Sequence, residues 1–166
     1  GEVRVETAAG FNDLEVADDG TIYATVSGAQ GHVYRITPAG EASVFIPTGA
    51  PLNSPNGIAI DPAGNIVVAN SGDAAISTYD RSGRLITTEQ AAQPGTDGLV
   101  IMPDGTKYAS SVQNGGVSMI RPNQRAVLIA ENIPNAASMC YDSGANQLVI
   151  PMNANNALAF VPLTGR

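Results

Sequence analysis

Histidine and cysteine each occur only once in this chain of 166 residues, as His32 and Cys140. A single cysteine excludes an intrachain disulfide and a single histidine excludes a histidine dyad; no zinc-ligand cluster is present either. Cys140 falls on an expected inner strand, where a free thiol is expected to be buried among apolar side chains. His32, in the segment GHVYRI, opens an outward strand and reads as an edge or loop residue rather than a catalytic base. Basic residues are also scarce, with 8 Lys plus Arg against 15 Asp plus Glu and a formal net charge of −7. Such a field repels phosphate backbones and anionic lipid surfaces, so neither nucleic acid nor a membrane is expected as a partner. No apolar run has membrane-spanning length, and the opening GEVRVET lacks the basic and hydrophobic regions of a signal peptide. The expectation is a soluble chain, cytoplasmic or already processed for the periplasm or secretion. Phosphate-binding glycine loops are missing, and Ser110-Ser111 has neither a histidine partner in sequence context nor a G-x-S-x-G elbow.

What the chain does contain is 18 Gly and 11 Pro, with 43% hydrophobic and 14% charged residues. Frequent chain reversals favour many short strands over long helices. One block recurs four times: a polar or small residue opens an apolar strand, a turn follows, and a second strand comes next. The blocks begin at Asn12, Asn56, Asp97 and Ala137, with spacings of 44, 41 and 40 residues. That period is expected of propeller blades, which take about 40–45 residues each.

Strand alternation aligns Leu14, Ile58, Leu99 and Met139, then Val16, Ile60, Ile101 and Tyr141, as expected core positions. Reversals at Asp19-Gly20, Ala63-Gly64, Asp104-Gly105 and Gly144-Ala145 place glycine where a tight hairpin needs positive φ. Third strands follow at residues 33–37, 76–80, 117–121 and 157–161, the last reaching a turn at Thr164-Gly165. Fourth strands follow the first three at 42–46, 84–88 and 126–130. The expected fold is therefore an all-β propeller of four four-stranded blades forming one domain over residues 1–166, with blades at about 8–46, 52–88, 93–130 and 133–163. The last blade lacks its own fourth strand, and EVRVET (residues 2–7) is expected to supply it. That closure takes place within one monomer or by exchange in a homodimer.

If each blade runs outward from the axis, the start of its first strand and the loop between its second and third strands share one face. Asn12, Asn56 and Asp97 then meet at the axis, with Asn70, Asn114 and Asn153 among the residues around them. Three oxygen-bearing side chains suit a hard divalent cation such as Ca²⁺. Asp13 and Glu15 add carboxylates that break the apolar pattern and need solvent or a partner. The alternative is that these polar groups cap strand starts and hold water. The cluster MNANNAL (152–158) could bind a polar ligand, but asparagine's local hydrogen bonding favours a turn.

The segment SPNGIAIDPAGNIVVANSGDAAISTYDRSGRL resembles an NHL-type propeller repeat. With SPNG at Ser54–Gly57 and TDGLVIMPDGT at Thr96–Thr106, the fuller pattern resembles the superfamily of senescence-marker protein, gluconolactonase and luciferin-regenerating enzyme. The resemblance implies a propeller, typically six-bladed, with a divalent cation at its axis and lactone hydrolysis in several members. It implies that Asn56 is a metal ligand and that Asp97 is both a ligand and the general base. Asn12 stands where such proteins usually have a Glu ligand, with Asp13 as a substitute, and Asn70, Asn114 and Asn153 are expected to touch a small-molecule substrate. The competing expectation is a non-catalytic module that recognises a ligand or protein through the same loops.

Overall fold

The computed structural model describes residues 2–5, 10–49 and 51–163. Each sequence block becomes one antiparallel sheet with strands in chain order. The first holds β1 (Phe11–Val16), β2 (Ile22–Val26), β3 (His32–Ile36) and β4 (Ala42–Ile46). The second holds β5 (Pro55–Ile60), β6 (Ile66–Asn70), β7 (Ala75–Tyr79) and β8 (Leu85–Gln90). The third holds β9 (Thr96–Ile101), β10 (Lys107–Ser111), β11 (Gly116–Ile120) and β12 (Val127–Ala130). The fourth holds β13 (Cys140–Asp142), β14 (Gln147–Met152) and β15 (Ala157–Pro162). The chain is an all-β propeller of four blades, and among the described residues no helix is long and apolar enough to cross a membrane.

The hairpins form because an aspartate organises each turn. Asp19 Oδ1 accepts the Thr21 N–H and Asp104 Oδ1 the Thr106 N–H, both at 2.9 Å, while Gly20 and Gly105 adopt φ of 81° and 83°. In the fourth blade the left-handed position falls on Asn146 (φ 48°) instead of the expected Gly144-Ala145 pair. Asparagine tolerates that region, and Asp142 still binds the Gly144 N–H.

Three apolar clusters hold the blades together, one per junction. Tyr23, Val33 and Ile46 meet Ile58, Ile66 and Tyr79 between the first two blades. Ala59, Val67 and Ile76 meet Leu99 and Ile120 at the next junction. Tyr108, Val117 and Met119 meet Leu148, Ile150 and Val161 at the last. In each case the forward face of one blade covers the backward face of the next.

Among the described residues no such cluster joins the fourth blade to the first, and this changes several expectations. Leu14, aligned with the buried Ile58 and Leu99, is 55% exposed, and Val16, aligned with the partly buried Ile60 and Ile101, is 52% exposed, because none of the three other blades packs behind the first. Cys140 is exposed rather than buried, since it lies on the forward face of the last blade. Residues 2–5 form no strand, and the fourth sheet has three strands among the described residues. Val3 lies instead beside the first blade, where its Cγ2 would be 3.4 Å from a Cβ placed on Gly40. Within one molecule, residues 2–5 therefore do not supply the fourth strand beside β15. The remainder of the expected closing strand, residues 6–7, and the turn at Thr164-Gly165 lie outside the described residues.

Candidate functional site

The inner strands begin with a β-bulge in three blades, and the bulge sets the direction of the candidate side chains. Pairing slips between Phe11 and Leu14 in β1, between Pro55 and Ile58 in β5, and opposite the Ala109–Ser111 stretch in β9. Residues 12–13, 56–57 and 97–98 occupy these slips. A hydroxyl on the second strand fastens two of them. Thr25 Oγ1 accepts the Asp13 N–H at 3.1 Å and donates to the Asn56 carbonyl at 2.6 Å. Ser110 Oγ likewise accepts the Gly98 N–H at 2.8 Å and donates to the Ala137 carbonyl at 2.7 Å. Each hydroxyl thereby ties a blade's bulge to the block start of the following blade.

Glycine lets successive inner strands approach. A Cβ on Gly57 would strike the Asp97 carbonyl oxygen, and one on Gly98 would lie 2.6 Å from the Met139 nitrogen. The first blade solves the same problem differently. Asp13 stands in the place of Gly57 and Gly98, and its Oδ2 accepts the Ile58 N–H at 3.1 Å while Oδ1 accepts the Leu14 N–H at 2.9 Å.

This packing brings Asn56 and Asp97 together. Asn56 Nδ2 donates to Asp97 Oδ2 at 3.2 Å. Asn56 is 7% exposed, and its Oδ1 is buried with no hydrogen-bond partner. That orientation leaves an acceptor oxygen unused beside a carboxylate, an arrangement that costs free energy unless something else satisfies it. Burial pushes the Asp97 carboxyl above the usual aspartate value, and the negative charge of Asp13 adds to the rise; hydrogen bonds from Asn56 and Ser138 oppose it. Burial likewise raises Glu15, again reinforced by Asp13. The charge of Asp13 thus acts on both Asp97 and Glu15.

Asn12 does not join them, because its Nδ2 turns to Ser27 Oγ at 2.8 Å. Asn70 is fully buried and committed to the fold, accepting the Asn53 N–H and donating to the Ala75 carbonyl. Asn114 Nδ2 binds the Pro94 carbonyl at 3.0 Å. Asn153 starts a single exposed 3₁₀ turn, which the left-handed Asn156 terminates. Sequence reasoning passed over Ser138, which hydrogen-bonds Asp97 from the next blade. Its signal was faint: a small polar residue one position after Ala137, the block start that carried no oxygen of its own.

The donors around Asn56 and Asp97 are all oxygen, and the orphaned Asn56 Oδ1 is the kind of group a hard cation satisfies. Asn56 and Asp97 fit such an ion as a partial ligand set to be completed by water. Among the described residues, no three His, Cys, Asp or Glu side chains are grouped as a metal site. Asp13 has both oxygens engaged by backbone N–H groups, which leaves it to act through its charge.

A family model described as an SMP-30/Gluconolactonase/LRE-like region matches residues 3–151. No curated protein matches the sequence. Among solved structures, a streptogramin B lyase superposes with a TM-score of 0.79 at 17% identity, covering 95% of this chain and 53% of that one. A gluconolactonase from Xanthomonas campestris gives 0.74 at 22% identity, covering 98% and 60%. A chain from a nidogen–laminin complex gives 0.72 at 21%, covering 86% and 57%. The chain therefore spans between half and two thirds of the length of these structures, and at such identities the likeness establishes the fold alone.

Proposed function

The chain belongs to the SMP-30/gluconolactonase/LRE-like family, and on that premise we propose that it is a divalent-cation-dependent hydrolase acting on a sugar or related lactone. The observation that carries the reading is the orphaned Asn56 Oδ1 beside the half-buried Asp97. Asn56 and Asp97 would hold the cation, Ca²⁺ being the natural candidate for amide and carboxylate oxygens. When bound, such an ion supplies a Lewis acid for an ester carbonyl.

The chain's own groups do the proton work. Asp97, raised above the usual aspartate value by burial, is a better base than an exposed carboxylate. It takes a proton from water as the water oxygen bonds to the lactone carbonyl carbon. The ring C–O bond then breaks, and the same proton passes to the leaving alkoxide, so lactone plus water gives one hydroxy acid. Asn56 Nδ2 and Ser138 hold the Asp97 carboxylate in place for this transfer.

The test measures acid release from sugar lactones by the wild-type chain, with and without chelator and restored Ca²⁺, alongside Asp97→Asn. The reading requires turnover that chelator removes, Ca²⁺ restores and Asp97→Asn lowers by at least about 100-fold, the usual scale for a general base. Turnover retained by Asp97→Asn would eliminate the mechanism. The competing reading, a non-catalytic module that recognises a ligand or protein through the same loops, would have to do without Asn70 and Asn114, whose side chains are committed to internal bonds. Chelator-insensitive ligand binding without turnover would support it.

A further inference from the structure

At the hairpin end of the blades, opposite the start of β5 that carries Asn56, a cleft enters the junction between the first and second blades. Its outer part, about 380 Å³, is lined by Glu15, Asp18, Ile60, Asp61, Pro62 and Arg81 among others. A recess of about 130 Å³ shares Asp18, Ile60 and Arg81 with it and adds Asp19 and Tyr23. Both walls belong to blades that pack on each other through Tyr23, Ile58, Ile66 and Tyr79.

Arg81 sets this junction apart from its repeat mates. After their third strands, the first and third blades place Pro38 and Pro122 over the hairpin glycines, 3.4 and 3.3 Å from a Cβ built on Gly20 and Gly105. In the second blade Arg81 takes that place over Gly64, and its Nε donates to the Gly64 carbonyl at 3.2 Å. That bond holds the guanidinium and leaves its two terminal nitrogens for a ligand, since among the described residues no carboxylate lies within ion-pair distance of it. Tyr23 is an independent sign of an occupant. It is only 6% exposed, its ring sits edge-on to Phe45 with centroids 4.9 Å apart, and burial raises its hydroxyl above the ordinary tyrosine value with no hydrogen bond acting on it. A hydroxyl so enclosed ordinarily has a partner.

The acids of the cleft differ in how far they are committed. Asp61 is taken up by its own hairpin, accepting the Ala63 and Asn65 N–H groups and Asn65 Nδ2, and Asp19 Oδ1 accepts the Thr21 N–H. Glu15 and Asp18 have no basic side chain within ion-pair distance among the described residues. One held cation beside unpaired carboxylates selects against simple ions. A lone anion at Arg81 meets the field of Asp18 and Asp19, and a lone cation at Asp18 meets that of Arg81. A ligand with both charges avoids both repulsions, and a guanidinium edge suits a carboxylate's two oxygens.

We propose that this cleft binds a free aliphatic α-amino acid as its zwitterion, the carboxylate on Arg81 and the Tyr23 hydroxyl, the ammonium on Asp18 and Glu15, and the side chain against Ile60 and Pro62. The site shares neither Asn56 nor Asp97, so it operates with or without a cation at that pair.

The test titrates the isotope-labelled 166-residue chain with L-leucine at neutral pH, followed by NMR with and without chelator. Isocaproate, which lacks the ammonium, and isoamylamine, which lacks the carboxylate, are titrated in parallel. L-leucine is expected to give saturable shifts at the Ala17 and Gly64 amides and the Tyr23 ring, unchanged by chelator. Each half-molecule should bind at least about 10-fold more weakly, as for loss of a charge-assisted hydrogen bond. Arg81→Pro, which installs the residue of the first and third blades, and Tyr23→Phe, which keeps the ring contact with Phe45, should each weaken L-leucine by a similar factor. Circular dichroism and melting confirm that both variants fold, and Arg81→Gln replaces the proline variant if it does not. No saturable shift in the cleft at millimolar L-leucine, a half-molecule that binds as tightly as L-leucine, or unchanged affinity in the folded Arg81 and Tyr23 variants overturns the proposal.

Discussion

Replacing Asp13 by alanine tests how the first blade is fastened and how the candidate site is charged. In wild type Asp13 Oδ2 accepts the N–H of Ile58, a residue only 2% exposed, at 3.1 Å. The variant leaves that buried donor without its acceptor, a loss of about 1–3 kcal/mol. The second bond, from the N–H of the exposed Leu14, adds little because water replaces the carboxylate there. The same change removes the negative charge that helps raise Asp97 and Glu15, so both should titrate at lower pH than in wild type. Urea unfolding measures the first effect, and carboxyl-carbon NMR measures the second. Asp13→Asn serves as the companion variant: its amide oxygen can keep the Ile58 bond while the charge is gone, so it should retain most of the stability and show the same Asp97 shift. A loss under about 0.5 kcal/mol in Asp13→Ala, together with an Asp97 titration that does not move, would refute both steps of the reasoning.

Gly98→Ala should destabilise by about 1–3 kcal/mol or more, because its Cβ meets the Met139 nitrogen and the Ala137 carbonyl rather than a side chain that could move. Gly10→Ala, with nothing within 4 Å, is the control in the same urea experiment and should be close to neutral. Thr25→Val should cost about 1–3 kcal/mol by leaving the Asn56 carbonyl without its donor, with faster amide exchange at Ile58 and Asn56 as the local signature. For Asp97 the folded-state value lies above the unfolded one, so the native state binds more protons between them and stability falls as pH rises through that window. Asp97→Asn should therefore melt higher than wild type at pH 7, with the difference closing as pH falls towards about 4, the unfolded aspartate value. A pH-independent difference would mean that burial of the charge is not the cause.

The repeat made most of the fold legible. Spacing from Asn12 to Asn56 to Asp97 located three inner strands, and the turns ending in Gly20, Gly64 and Gly105 located their hairpins, because both depend on local backbone chemistry. What sequence pattern cannot carry is whether a face has a neighbour. Leu14 reads as core for the same reason that Ile58 and Leu99 do, yet only the latter two are covered. Cys140 misled in the same way. The site was half legible: Asn56 and Asp97 hydrogen-bond each other, while Asn12 turns to Ser27 and Asp13 stands where the next two blades have Gly. The substitution was visible in the sequence, but its consequence depends on the Ile58 N–H lying within reach across the junction.

The joinery between blades and the candidate chemistry are the same set of atoms. Gly57 allows the Asp97 backbone to come close enough for Asn56 Nδ2 to reach the Asp97 carboxylate, and Gly98 allows the strand bearing Ser138 to approach from the other side. Thr25 fixes the Asn56 backbone from the first blade, so the amide is held from behind as well as from in front. A site assembled in this way cannot be loosened without also loosening two blade junctions. Variants at Gly57, Gly98 or Thr25 should therefore lose stability and any Asp97-dependent activity together, whereas Asp97→Asn should separate them, lowering activity in a chain that melts higher. That opposite movement of two measurements in one variant is what distinguishes a carboxylate kept for its chemistry from one kept for the fold.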